Sequence, residues 1–128
     1  MSGIEIHDAH FPGRAPIEAY GNGGFRFADM SHRGSILCLP SGIHGWKPVD
    51  PARLVPDDFE AVVAEAGEIE ILLVGTGVDL KPLPAEIRAV LRANGISADP
   101  MGTGAAVRTY NVLLAEDRAV AAAFIAVG

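Results

Sequence analysis

The chain has one cysteine, Cys38, so no disulfide can form within it. Cys38 lies inside the apolar run Ser35-Ile36-Leu37-Cys38-Leu39, where a thiol reads as a small buried hydrophobe rather than a reactive group. Excess positive charge is also missing. The net charge of −6 removes the nonspecific pull toward nucleic acid or anionic membranes that a basic chain has. No basic segment followed by an apolar block opens the chain, so it does not read as carrying a signal peptide. The longest apolar run, Ala119 to Val127, is about half the length a membrane helix needs. These absences predict a cytoplasmic protein without membrane insertion.

Catalytic signatures are equally scarce. There is no Walker lysine pattern. Gly75-Thr76-Gly77-Val78-Asp79-Leu80 lacks both the third glycine and the directly following helix of a dinucleotide fingerprint, so no nucleotide cofactor is expected. His7 and His10 have i, i+3 spacing, but on a strand or loop that spacing makes no metal face. His32 and His44 are isolated, so no metal is expected either. Ser41 has His44 three residues on, without a nucleophile elbow around it. No catalytic constellation is recognisable, and the sequence leaves open whether the chain is an enzyme.

At 128 residues, with 49% apolar and 20% charged residues, the chain suits one domain over residues 1–128 with a single core. Ile4 and Ile6 alternate with polar neighbours. Ile17-Glu18-Ala19-Tyr20 and Phe25-Arg26-Phe27 also alternate, and Asn22-Gly23 between them predicts a tight hairpin whose apolar face is Tyr20, Phe25 and Phe27. Gly34 to Leu39 predicts a strand covered on both faces, ended by Pro40. Ser41 to Val55 reads as a loop.

Pro56, followed by Asp57 and Asp58, predicts a helix start, and Phe59, Val62, Val63 and Ala66 its buried face, up to Gly67. Ile69 to Val74 predicts a strand closed by Gly75-Thr76-Gly77. Pro84 opens a second helix with Leu83, Ile87, Val90 and Leu91 on one face, ended at Gly95. Ile96 to Asp99 suits a short strand. A third helix is capped by the Thr103 hydroxyl and buries Ala106, Thr109, Tyr110 and Leu113. After an Asp117-Arg118 turn, Val120 to Val127 is the last strand, its alanines implying close neighbours. The alternation predicts an α/β sheet with helices packed on it and an N-terminal antiparallel hairpin layer.

Several motifs occur in one order: Gly23-Gly24-Phe25-Arg26-Phe27, Gly34-Ser35-Ile36-Leu37, Pro40-Ser41-Gly42-Ile43 with Trp46, Leu73-Val74-Gly75-Thr76-Gly77, and Thr103 to Leu113. Together they resemble the small domain family that includes mitochondrial respiratory complex I assembly factor 3 and an adipogenesis-associated cytosolic protein. The resemblance covers nearly the whole chain. It implies a three-layer α/β fold with a mixed central sheet, and an interaction or assembly role. It implies no established activity and no catalytic residue.

In open α/β sheets ligands collect beyond the carboxyl ends of the strands. Three loops are candidates to meet there: Ser41-Gly42-Ile43, Gly75-Thr76-Gly77 and Gly102-Thr103-Gly104. Their glycines permit close approach, Ser41, Thr76 and Thr103 offer hydroxyls, the third helix offers free amides, and Arg108 adds a forked cation. The candidate ligand is a small anion. Asn111 shares a helix face with Arg108; both are candidate ligand-binding residues, and both are also read as holding these loops by hydrogen bonds, while Tyr110 reads as core. Trp46, in a proline-containing loop, is the candidate contact for a protein partner if exposed and a lid over the core if buried. Two functions are therefore carried forward. One is an interaction or assembly module working through the 41–48 loop and edge strands; the other is a small-anion binder or enzyme at the strand ends.

Overall fold

The computed structural model describes residues 11–128; the expectations on Ile4, Ile6, His7 and His10 lie outside them. Two sheets form. β1 (Ala19–Gly21), β2 (Gly24–Phe27) and β3 (Met30–Arg33) make a small antiparallel sheet in that order. β4 (Ser35–Leu39), β5 (Gly42–Trp46), β6 (Ile71–Gly75), β7 (Ser97–Met101) and β8 (Val120–Phe124) make the central sheet, ordered β5-β4-β8-β6-β7. β8 is parallel to β6 and antiparallel to β4, so the sheet is mixed. α1 (Glu60–Ala64), α2 (Ala85–Ala93) and α3 (Thr103–Ala115) pack on it.

Strand periodicity divides the core into two. Leu37, Leu39, Leu72, Val74, Ala121 and Ala123 point to one face and meet Phe59 just before α1, Val62 of α1, and Ile87 and Leu91 of α2. Ile36, Cys38, Leu73, Ala122 and Phe124 point to the other and meet Ala106, Val107 and Tyr110 of α3, together with Phe25 and Phe27 of the small sheet. The result is three layers, with α1 and α2 outside one face of the central sheet and α3 and the small sheet outside the other. All five residues of β8 are buried, and its three alanines give room for elements closing from both sides.

The hairpin forms at Asn22-Gly23, whose φ values of 52° and 80° suit a type I′ turn. Phe25 and Phe27 are buried, whereas Tyr20 is 41% exposed, so only two of the three expected aromatics face the core. Four further expectations are corrected. Ser41 to Val55 is not one loop: Gly42–Trp46 pairs with β4 through a two-residue turn at Pro40-Ser41. A third small-sheet strand, β3, follows a second left-handed turn at Ala28-Asp29. The helix after Pro56 is short and framed by 3-10 turns at Pro56–Phe59 and Ala66–Glu68, the latter running through Gly67. The last strand stops at Phe124, after which residues 125–127 bond to Gly75, Thr103, Ser35 and Gly23.

Candidate functional site

The Gly-Thr-Gly loops do meet, and what binds them together is the chain itself. The Thr76 hydroxyl shares its proton between the carbonyls of Asp79 (2.7 Å) and Met101 (3.0 Å), and accepts from the Lys81 N–H at 2.9 Å. The Thr103 hydroxyl donates to the Ile125 carbonyl at 2.7 Å and accepts from the Gly77 N–H at 3.0 Å. It therefore does not cap α3: Gly102 is the N-cap, and Thr103 sits one position later with its side chain turned into the protein. The backbone adds Thr103 N–H to Gly77 carbonyl at 2.7 Å and Ile125 N–H to Gly75 carbonyl at 2.9 Å. Gly75 is glycine for a steric reason, since a Cβ there would stand 2.9 Å from the Thr103 hydroxyl. The carboxyl ends of β6 and β8 and the start of α3 are thus one stitched unit.

That unit presents apolar groups to solvent. Val78 is 82% exposed and Leu80 is 60% exposed, although the loop carrying them is held at Thr76, Gly77, Asp79 and Lys81. The Val78 carbonyl rests against Gly102, at 3.2 Å from where a Cβ would lie. Tyr20 reaches across from β1, and a Cβ on Gly104 would run into its hydroxyl. Tyr20 and Val78 therefore both rest on the first turn of α3, and the two glycines admit them.

The remaining candidates are dispersed. β4 runs antiparallel to β8, so Ser41 and Gly42 stand at the opposite end of the sheet from Gly75, Thr76, Gly77, Thr103 and Gly104. The Ser41 hydroxyl donates to Glu65 Oε2 at 2.6 Å, its N–H donates to Glu65 Oε1 at 2.9 Å, and its oxygen lies 3.1 Å from His44 Nε2. The serine hydroxyl thus donates its proton to the Glu65 carboxylate. The group ties the β4–β5 turn to the end of α1.

Arg108 is exposed and takes part in no ion pair found among the described residues. Asn111 clamps Ile17: its Oδ1 accepts from the Ile17 N–H and its Nδ2 donates to the Ile17 carbonyl, both at 2.9 Å. Trp46 is half-buried. Its Nε1 donates to the Asp58 carbonyl at 2.8 Å and its ring meets Phe59 edge-on at 5.5 Å, so it closes the core over α1. Sequence reasoning missed Tyr20, Val78 and Leu80 as surface groups. The available signal was two large aliphatic residues, Val78 and Leu80, in a segment that fits no periodic element.

Two buried groups have displaced acidities. Burial pushes the Cys38 thiol up, with a hydrogen bond from Tyr110 as a smaller opposing effect. Burial likewise pushes the Tyr110 hydroxyl up, reinforced by Cys38 and partly offset by Arg14. Both stay protonated in the fold at neutral pH. They are core groups, and Cys38 is only 1% exposed.

Comparison with known proteins gives a consistent picture. The family model described as "Protein of unknown function (DUF498/DUF598)" matches residues 17–125. A solved Bartonella henselae structure, described as an outer membrane protein, is 63% identical, with a TM-score of 0.90 over 93% of this chain and 100% of that one. An uncharacterised Rhodobacter capsulatus protein is 41% identical over 115 residues, 90% of this chain and 87% of that protein. The mouse NADH dehydrogenase [ubiquinone] 1 alpha subcomplex assembly factor 3 is 27% identical over 122 residues, 95% of this chain. The match spans only 66% of the mouse protein's own length. Among the described residues no helix is long and apolar enough to cross a membrane.

Proposed function

The chain belongs to the DUF498/DUF598 family of proteins of unknown function, and from that premise we propose that it is a protein-interaction module of the assembly-factor kind, acting in the cytoplasm as one domain over residues 1–128. One observation carries the reading: a loop fixed by internal hydrogen bonds holds Val78 and Leu80 at 82% and 60% exposure. Nothing in the packing of the loop requires aliphatic residues there. A fixed backbone carrying exposed apolar groups binds a partner without a large ordering cost. The name of the mouse relative supports the same reading. The role first assigned to Trp46 passes to this face, because the indole is engaged with Asp58 and Phe59.

The test is affinity purification from the cytosolic fraction of the source cell, using the whole chain and a Val78→Asp, Leu80→Asp variant. Neither side chain is buried, so the variant keeps its unfolding free energy within about 0.5 kcal/mol. The whole chain recovers a stoichiometric partner and the variant loses it. Failure of the whole chain to recover one, or retention by the variant, overturns the reading. Recovery from the membrane fraction alone overturns the compartment.

The small-anion alternative rests on the start of α3 and on exposed Arg108, one turn beyond Gly104. Against it, the Thr76 and Thr103 hydroxyls are already engaged within the protein.

A further inference from the structure

Among the described residues no element packs over the outer face of the small sheet, and that face is cationic. Register places Ala19 opposite Arg26 and Arg26 opposite Ser31, with Gly21, Gly24 and Arg33 one step along on the same face. Phe25 and His32 occupy the other face and are buried. A shallow groove of about 280 Å³ runs over these strands, lined by Arg26, Ser31 and Arg33 of this face and, past the glycines, by Tyr20, Phe25 and His32 of the other. The glycines have backbone reasons of their own: Gly21 has φ 129°, and a Cβ on Gly24 would strike the His32 carbonyl of β3.

The arginines have no such reason. Arg26 reaches Glu18 only through Nε, at 4.0 Å, and Arg33 makes no ion pair found among the described residues. They are not the by-product of a basic composition, because the chain carries a net charge of −6. Residues 54–80 hold seven acidic side chains and no lysine or arginine, so the charge is segregated. Two guanidinium groups on neighbouring strands repel each other unless an acidic group lies between or over them.

We infer that this groove binds an acidic, extended segment of the partner protein, deepening the interaction reading on which it rests. Arg33 lies two residues beyond Ser31, the residue opposite Arg26, so the two arginines are diagonal neighbours, with Cα atoms about 7–8 Å apart. In an extended chain, side chains two residues apart point the same way and are separated by roughly 6.5–7 Å. An acid-x-acid segment therefore sets one carboxylate on each guanidinium, which can grip it through paired hydrogen bonds.

The test is an amide NMR titration of the whole chain with a short synthetic peptide alternating glutamate and leucine. The comparison ligands are the same peptide with glutamine for glutamate, and inorganic phosphate. The glutamate peptide shifts the amides of Gly24, Arg26, Ser31 and Arg33, and its affinity falls with added salt. Affinity drops at least about tenfold for the glutamine peptide and for an Arg26→Glu, Arg33→Glu variant. An Arg26→Gln, Arg33→Gln variant with an unchanged spectrum elsewhere guards against misfolding and loses affinity too. No shift on this face, equal binding by the variants, or the same pattern from phosphate at similar affinity overturns the inference. So does self-association of the chain abolished by the Arg26→Glu, Arg33→Glu change, which makes the occupant a second copy. In the affinity purification, a partner kept by that variant but lost with Val78→Asp, Leu80→Asp sinks the acidic-segment inference and leaves the interaction reading standing.

Discussion

Asn111 uses both ends of its amide on one residue, and so does the work of a neighbouring strand. Its Oδ1 and Nδ2 reproduce for Ile17 the acceptor and donor that a sheet partner provides, just where the chain enters β1 and has no backbone partner on that side among the described residues. Ile17 is 3% exposed, so its N–H and carbonyl cannot turn to water if the amide is lost. Asn111→Ala should destabilise the fold by about 2 kcal/mol, two net hydrogen bonds plus part of the cost of stranding their partners. Asn111→Asp keeps the acceptor but sets a carboxylate against the Ile17 carbonyl, and should lose as much or more. Urea unfolding of both variants checks this, and a loss below about 0.5 kcal/mol would mean that water replaces the clamp. From the sequence, Asn111 reads as holding the strand-end loops, whereas its amide holds Ile17 instead. That partner was not readable, because the bond spans 94 residues.

Turns decide how much of the element order was legible. Asn22-Gly23 announces the first hairpin because both residues enter the left-handed region at little cost. The second turn has the same geometry at Ala28 (φ 48°) and Asp29 (φ 60°), but alanine is a poor residue for it and gives no signal. β3 was missed for that reason. The strain also makes a prediction: Ala28→Gly should stabilise the protein by about 0.5 kcal/mol, the relief of a left-handed alanine less the added freedom of the unfolded chain. A raised urea midpoint with an unchanged slope checks it. β5 was hidden differently. Its Gly42 and Gly45 look like loop residues, yet a Cβ on Gly42 would collide with the Phe11 carbonyl and one on Gly45 would come within 3.1 Å of the His32 ring. Those are tertiary causes, invisible along the chain. The buried strands β4, β6 and β8 were legible because being covered on both faces writes itself as an unbroken apolar run. The candidate site was legible only as loops. Which end of the sheet each loop occupies depends on strand direction, and β4 reverses it for Ser41 and Gly42.

Across the whole molecule, the central sheet separates two cores of different chemistry. The core against α1 and α2 is aliphatic apart from Phe59 and the edge of Trp46. The core against α3 and the small sheet holds Cys38 and Tyr110, with Phe124 packed edge-on to Tyr110 at 5.7 Å. Both acidic groups are raised in the fold, chiefly by burial, so in alkali the unfolded chain loses its protons first. Their ordinary values are 9.0 for the thiol and 10.0 for the phenol. Above each value the folded state binds more protons than the unfolded one, and stability falls as pH rises. The contribution of these two groups is therefore flat below about pH 9. It then declines by about 1.4 kcal/mol per pH unit through the thiol alone, and by about twice that above pH 10. Urea unfolding across this range should show the break near pH 9 in the intact protein. Cys38→Ala should delay it to near pH 10 and halve the slope beyond, because only Tyr110 is then left to ionise on unfolding. A slope unchanged by Cys38→Ala would mean that hydroxide reaches and ionises the thiol inside the fold, and that the core beneath α3 opens before the molecule unfolds.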